Sequence, residues 1–196
     1  MQRRKHILLG GSALIAVLAL AAMTSVGHLV PGDRALPPMA ATQFCIRYPD
    51  DCAKTGGDGK ETSKFVKLTP ERRTQLKEVN TSVNQSIVPQ PQDATAATTN
   101  WLISPQSGDC GDYVVTKRHE LLAMGWPSGT LLLSEVVLRS GEHHLILVAR
   151  TNVGDFVMDN LTQAVRTVAV AKSDYKWVRI ESSDNPEFWN KIRERI

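Results

Sequence analysis

A helical pattern followed by a series of short strands is the feature that most narrows the folds open to this chain. Residues 110–124 predict a helix that ends before Gly125, because glycine often follows the last helical turn. Strands are predicted at residues 131–139, 143–150, 155–159 and 176–180, with turn residues between the first three. Helices that precede an antiparallel meander are typical of the α+β class. We therefore expect N-terminal helices packed on an antiparallel sheet.

A second helix is predicted upstream, at residues 69–88. Thr69 is a suitable N-cap, and Pro70 suits the first helical turn, where a backbone N–H is not needed. Apolar residues recur at three- and four-residue steps along one face, at Leu76, Val79, Val83 and Ile87. We expect this stripe to belong to the core, and residues 89–109 to form a long connection to the next helix.

The N-terminus has the pattern of an export signal. Three basic residues at positions 3–5 precede an apolar, uncharged run at 7–23 that ends in small residues. The run is short for a membrane span, which needs about 20 residues. We expect residues 1–23 to be a signal peptide, with a retained N-terminal anchor as the alternative. Either interpretation predicts a periplasmic or secreted protein, in contact with the membrane only through this segment.

The charge balance excludes a nucleic-acid-binding function. The chain has 23 basic and 20 acidic residues, and three of the basic ones lie in the first five positions. The remainder is therefore balanced, whereas proteins that bind nucleic acid concentrate positive charge on their surface.

The three cysteines divide into a pair and a single thiol. Cys45 and Cys52 lie seven positions apart and have no further nitrogen or sulfur ligands beside them, so a disulfide is favoured over a metal site. Residues 24–66 are rich in turn signals, and we predict an irregular segment that contains this disulfide. The main domain is then expected at residues 67–196.

Cys110 opens the helix predicted at 110–124. A helix N-terminus offers unpaired N–H groups and a partial positive charge, which stabilise a thiolate and a developing oxyanion. A cysteine at a helix end is also a common small core residue, so the position alone does not assign a function.

A nucleophilic thiol needs an imidazole, and the imidazole needs an acceptor. His144 lies on the second predicted strand, and Asp159 lies at the end of the third. A turn of two or four residues between these strands would put both side chains on one face of the sheet. His143 and Asp155 are the rivals for the two roles, and strand parity does not choose between the two histidines.

Further motifs surround these residues. They are Phe44-Cys45 with Cys52, Leu68–Arg72, Val79-Asn80, Val83-Asn84, Gly108–Tyr113, Lys117-Arg118, Gly125–Pro127, Gly154–Leu161 and Tyr175–Val178. Together they resemble the bacterial transglutaminase-like cysteine proteinases, which include periplasmic LapG-type proteases that process biofilm adhesins. The resemblance implies a papain/transglutaminase-like fold with Cys110 as nucleophile, His144 as base and Asp159 as the residue that orients it.

The resemblance also raises the question of calcium. The family commonly has Asp-Cys-Glu-Asp at the nucleophile, and its adhesin-processing members resemble calcium-binding proteins at those acids. Here Asp109 and Asp112 remain, but Gly111 stands in place of the glutamate. Calcium prefers several oxygen ligands, so we expect no required cofactor. The alternative role of the two aspartates is to cap the helix.

The expected function is cleavage of an amide bond through an acyl-enzyme, in an envelope or surface protein. Two alternatives remain open. Transfer of the acyl group to an amine would make the chain a transglutaminase, and loss of turnover would make it a binding module. The family resemblance also implies a regulatory partner at the inner membrane that would occlude the site.

Overall fold

The structure is a computed structural model and describes residues 27–54, 64–90 and 100–193. Its strands and helices in chain order are β1 (Val30–Ala35), α1 (Met39–Arg47), α2 (Pro70–Ser86), β2 (Val88–Pro89), β3 (Ser107–Gly108), α3 (Cys110–Ala123), β4 (Leu131–Leu138), β5 (His143–Thr151), β6 (Gly154–Met158), β7 (Arg166–Thr167), α4 (Val168–Ala171), β8 (Tyr175–Glu181) and β9 (Trp189–Arg193). Short 3-10 turns follow α1, at Pro49–Cys52, and precede β4, at Ser128–Thr130.

Seven of the strands form one antiparallel sheet in the order β1-β9-β8-β4-β5-β6-β7. The meander β4-β5-β6 provides its centre, as its alternating sequence predicts. The short strands β2 and β3 form a separate parallel pair at the two ends of the connection between α2 and α3. The predicted α+β class is confirmed.

Alternation along β5 divides the core into two layers. Leu145, Leu147 and Ala149 pack with the residues of α1, α2 and α3. Ile146 and Val148 point to the other face, where they pack with α4 and β8. The sheet is therefore covered on both faces, and its strands are almost fully apolar in the middle.

The two long helices begin and end where their sequences predict. Thr69 caps α2 by accepting a hydrogen bond from the amide of Arg72 at 3.3 Å, and the predicted stripe is buried. Asp109 caps α3, and Gly125 follows the helix with a φ of +82°, a conformation that glycine adopts without strain. The expected core role of the α2 stripe is confirmed.

The description of residues 24–66 as irregular is wrong for the described part of that segment. Met39–Arg47 forms a helix in which Ala40, Ala41 and Phe44 are buried. Val30–Ala35 forms a strand that pairs with β9 at the edge of the sheet. Pro31-Gly32 predicts a turn, but it lies within this strand, because an edge strand tolerates proline where a central strand does not.

The predicted disulfide joins Cys45 of α1 to Cys52 of the following 3-10 turn, with a Cα–Cα distance of 5.4 Å. Both sulfur atoms are therefore unavailable to a metal. The bridge fastens the C-terminal end of α1 to the chain that follows it.

Several predictions fall outside the described residues. The export signal at 1–23 and most of the long connection, residues 91–99, belong to this group. Across residues 27–54, 64–90 and 100–193, no helix has both the length and the apolar composition needed to cross a membrane.

Two charged side chains of α3 lie inside the protein. Arg118 donates to Glu181 at 2.9 Å, and both groups are almost completely buried. Lys117 is fully buried, and its Nζ finds no hydrogen-bond partner among the described residues. Burial lowers the pKa of Lys117 to about 7, and the charge of Asp159 opposes only part of that effect.

The pKa of Lys117 predicts how stability depends on pH. Between pH 7 and about 10 the unfolded lysine keeps its proton while the folded one loses it, so the free energy of unfolding rises with pH. We expect Lys117→Met to remove this part of the rise and to stabilise the protein at pH 6. Urea unfolding at pH 6 and pH 9 measures both effects. The exposed Lys77→Met is the matched control, and parallel pH curves for wild type and Lys117→Met would contradict the prediction.

Candidate active site

A cavity of about 300 Å³ opens beside Cys110 at the start of α3. Its apolar wall consists of Pro38, Met39, Ala40, Trp101 and Leu145, and its polar wall consists of Glu135, His143, His144 and Arg179. The cavity thus brings the single free thiol among the described residues together with both candidate histidines.

The surroundings of Cys110 keep the thiol neutral. Burial raises its pKa to about 12, and the negative charge of Asp109 adds to the shift. The backbone at Leu145 and Gly111 lowers the pKa by a smaller amount. The expectation that the helix end would stabilise a thiolate in the free protein is therefore not met, because desolvation outweighs the helix N-terminus.

His144 and Asp159 form a buried pair. The Nε2 atom of His144 lies 2.8 Å from Oδ1 of Asp159, and both side chains are at least 95% buried. Burial opposes the charge on Asp159, but hydrogen bonds from His144, the Leu161 amide and Tyr175 outweigh it and hold the pKa of this carboxyl below its ordinary value. An ionised carboxylate has no proton to give, so Nε2 of His144 is the donor, which leaves Nδ1 as the ring nitrogen that can accept a proton.

Three further groups fix the position of Asp159. The Tyr175 hydroxyl donates to Oδ2 at 2.5 Å, and the Leu161 amide donates to Oδ1 at 3.0 Å. Asn84 of α2 donates to the backbone carbonyl of Asp159 at 3.0 Å. Arg166 in turn donates to the Tyr175 oxygen at 3.0 Å. The sequence analysis did not assign Tyr175 or Asn84 to the site, although both lie in motifs that carried the family resemblance.

The register of β5 and β6 confirms the parity argument. Leu147 pairs with Met158, so the next residue, Asp159, falls opposite Ile146, as a four-residue turn predicts. Ile146 shares a face with His144. The rival Asp155 lies elsewhere and accepts hydrogen bonds from His28 at 2.9 Å and from the Leu29 amide at 2.8 Å. It attaches the N-terminal end of the described chain to the sheet.

His143 belongs to a second histidine–carboxylate pair on the same cavity. Its Nδ1 atom donates to Glu135 at 2.6 Å, and the other oxygen of Glu135 accepts a hydrogen bond from Arg179. His143 is about two-thirds exposed, unlike His144. Strand alternation places the two histidines on opposite faces of β5, with His143 on the face that α3 covers.

The structure therefore joins two of the three predicted site residues directly. Within the described chain, neither histidine forms a hydrogen bond with the Cys110 sulfur, although all three residues border the cavity. Such contacts are often long in a substrate-free enzyme and shorten when substrate binds.

Asp109 and Asp112 are engaged in holding the start of α3. Asp109 accepts a hydrogen bond from the Gly111 amide at 2.8 Å, and Asp112 accepts one from the Asp109 amide at 2.9 Å, which forms a reciprocal capping box. The second oxygen of Asp112 accepts from the Leu102 amide at 2.7 Å.

These two residues do not fit a calcium site. Calcium takes six to eight oxygen ligands, whereas three of the four carboxylate oxygens here already accept backbone amides. In the described ranges, no group of three or more His, Cys, Asp or Glu side chains could hold a metal ion.

Comparisons with known proteins identify the family. A family model described as bacterial transglutaminase-like cysteine proteinase BTLCP matches residues 31–196. No curated protein matches the sequence.

Solved structures of LapG from Legionella pneumophila have a similar fold. A calcium-bound LapG is 23% identical, with a TM-score of 0.54 over 63% of this chain and 71% of that one. A second LapG structure is 25% identical, with a TM-score of 0.51 over 63% and 69% of the two chains. An EGTA-treated LapG is 25% identical, with a TM-score of 0.51 over 66% and 72%.

The family match covers well over half of the sequence, and the LapG structures share the mixed helix and antiparallel-sheet architecture. The resemblance that the motifs indicate is thereby confirmed: the chain belongs to the bacterial transglutaminase-like cysteine proteinases and is a cysteine peptidase.

Proposed function

We propose that Cys110, His144 and Asp159 are the catalytic residues of an exported peptidase. The observation that supports this most is the buried His144–Asp159 pair, which borders the same cavity as the thiol at the start of α3. The exposed His143–Glu135 pair is a weaker candidate, because Glu135 shares its charge with Arg179.

The first step starts from a neutral thiol. Sγ of Cys110 attacks the substrate carbonyl carbon while its proton passes to Nδ1 of His144, and Asp159 stabilises the imidazolium that forms. Within the described chain, the backbone amide of Cys110 has no acceptor and lies at the positive end of α3, where it can donate to the oxyanion.

The second half of the reaction releases two products. His144 gives its proton to the leaving amine as the C–N bond breaks, and the acyl group stays on Sγ as a thioester. Water then attacks the thioester carbonyl carbon and gives a proton to His144. The C–S bond breaks, the carboxylic acid leaves, and His144 returns the proton to Sγ. A primary amine in place of water would produce transamidation through the same residues.

The lining of the cavity suits a peptide substrate. Met39 is about two-thirds exposed at the rim, and Trp101 and Leu145 provide apolar surface beside the nucleophile. On the strength of the family, we propose an envelope or surface protein as substrate and a periplasmic or secreted location. The predicted leader and the Cys45–Cys52 disulfide support export. A regulatory inner-membrane partner is proposed from family analogy only.

One observation favours a catalytically silent binding module instead. The Cys110 thiol has a raised pKa and forms no hydrogen bond with a histidine in the described chain. Turnover measurements separate this alternative from the peptidase.

Alkylation tests the protonation state of Cys110. With a pKa raised to about 12, the thiol should react slowly with iodoacetamide at pH 7, and its rate should rise without a plateau up to pH 10. Peptide mapping by mass spectrometry measures the rate at this residue, with Cys110→Ala as the blank. A plateau near neutral pH that His144→Ala removes would indicate a preformed thiolate–imidazolium pair and would contradict the neutral starting state.

Turnover tests the assignment of the catalytic residues. Envelope proteins of the bacterium that encodes the chain are incubated with each variant, and new termini are identified by mass spectrometry. We expect Cys110→Ala and His144→Ala to lower the cleavage rate by roughly 10³-fold or more, and His143→Ala to change it by less than about 10-fold. Equal losses for both histidine variants would contradict the choice of His144.

The same assay separates hydrolysis from transfer. In ¹⁸O-labelled water, hydrolysis places the label in each new C-terminal carboxylate. A labelled primary amine would instead be incorporated by a transglutaminase. No new termini and no incorporated amine with any envelope fraction would favour the binding module.

Tyr175 offers a test of how Asp159 is held. Its hydroxyl donates to Asp159, so Tyr175→Phe should raise the pKa of that carboxyl and move the acidic limb of the activity profile to higher pH. The pH dependence of kcat/KM measures the shift, and Tyr48→Phe, remote from the cavity, is the control. An unchanged acidic limb would show that Asp159 does not titrate in this range.

A further inference from the structure

The start of α3 has no room for a side chain at position 111. A Cβ atom on Gly111 would lie 2.6 Å from Cε2 of Trp101, and closer still to Nε1 and Cδ1 of the same indole. Trp101 is 94% buried, so the ring has little freedom to move aside. Gly111 and Trp101 are therefore complementary: the glycine makes the space, and the indole fills it.

The chain that follows Trp101 is fastened to α3 at two further points. The Leu102 amide donates to Asp112 at 2.7 Å, and the Ser104 amide donates to Thr116 at 2.8 Å. Thr116 lies one turn beyond Asp112, so the segment runs along the first two turns of the helix. Trp101 and Cys110 border the same cavity, and this attachment therefore sets the shape of the cavity wall beside the thiol.

Asp109 and Asp112 are the candidate calcium ligands of the sequence, and a bound cation could connect parts of a protein by drawing such carboxylates together. In this chain, the oxygens that such an ion would need accept backbone amides, and the space beside them contains an indole. The residues at this position thus disagree with a calcium-dependent site.

We propose that the packing of Trp101 on Gly111 holds residues 101–104 against the start of α3, and that this attachment needs no divalent cation. The proposal concerns the stability and shape of the site and does not rest on the roles assigned to His144 and Asp159.

The first test compares wild-type protein in EGTA and in excess calcium chloride. We expect the same Tm and the same rate of Cys110 alkylation in both, and no heat of calcium binding in isothermal titration calorimetry. A Tm that falls in EGTA and recovers with calcium would overturn the proposal. Peptidase activity that EGTA removes and calcium restores would overturn it as well. A protein with an unchanged Tm that is inactive under both conditions would instead count against the proposed catalytic residues.

The second test is a double-mutant cycle between the two residues. Gly111→Ala adds a single methyl group, and we expect it to lower Tm by roughly 2–10 °C because the methyl overlaps the indole. In a Trp101→Leu background, the same change should cost much less. Trp126→Leu is the matched control: it removes another buried indole of the same core, and the full cost of Gly111→Ala should remain.

If either background fails to fold, the single Gly111→Ala variant still decides the point. A variant as stable as wild type would show that Trp101 does not depend on the space at Gly111, and that result would overturn the proposal.

Discussion

The reciprocal cap at the start of α3 is the interaction on which the rest of the site depends. The Asp109 carboxylate accepts a hydrogen bond from the Gly111 amide, and the Asp112 carboxylate accepts one from the Asp109 amide. These bonds fix the first turn of α3, in which Cys110 is the first residue. Asp112 also accepts a hydrogen bond from the Leu102 amide, so the same carboxylate fixes the chain beside Trp101 in the cavity wall. Loss of this cap would release the start of α3, Cys110 and Trp101 together, because each of them is held by these hydrogen bonds or packs on the capped turn.

The sheet positions the other two predicted site residues, because His144 lies at the start of β5 and Asp159 directly follows β6. Because β6 ends at Met158, Asp159 leaves the ladder one residue later and can turn toward His144. Tyr175 of β8 donates to the carboxylate of Asp159, and Asn84 of α2 donates to its backbone carbonyl, so Asp159 is held both from within the sheet and from the helical layer. The positions of His144 and Asp159 thus depend on the whole fold, whereas the position of Cys110 depends on one helix and the segment before it.

This difference explains what the sequence could predict. Local patterns were sufficient for α2, α3 and the central meander, because caps, glycine ends and alternation act over a few residues. They were insufficient for β1 and β9, which pair across almost the whole chain, and for Tyr175, whose role depends on a contact between distant strands. Family motifs pointed to His144 and Asp159, and the register of β5 and β6 then placed both on one face. The neutral state of Cys110 could not be predicted, because burial is a property of the folded site.

The electrostatics of the cavity favour movement of a proton in one direction. Burial disfavours the charged forms of Cys110 and Lys117, while Asp159 keeps its negative charge through three hydrogen bonds. In the proposed mechanism, a proton that leaves the thiol is therefore stabilised most by the negative charge of Asp159, and among the described residues the imidazole that contacts this carboxylate is His144. Charge separation between the thiolate and the imidazolium is costly in the empty cavity, and it becomes favourable when the negative charge passes to a substrate oxyanion beside the amides of α3. In the proposed mechanism, the burial that raises the pKa of Cys110 in the empty cavity thus makes its activation depend on a bound carbonyl group.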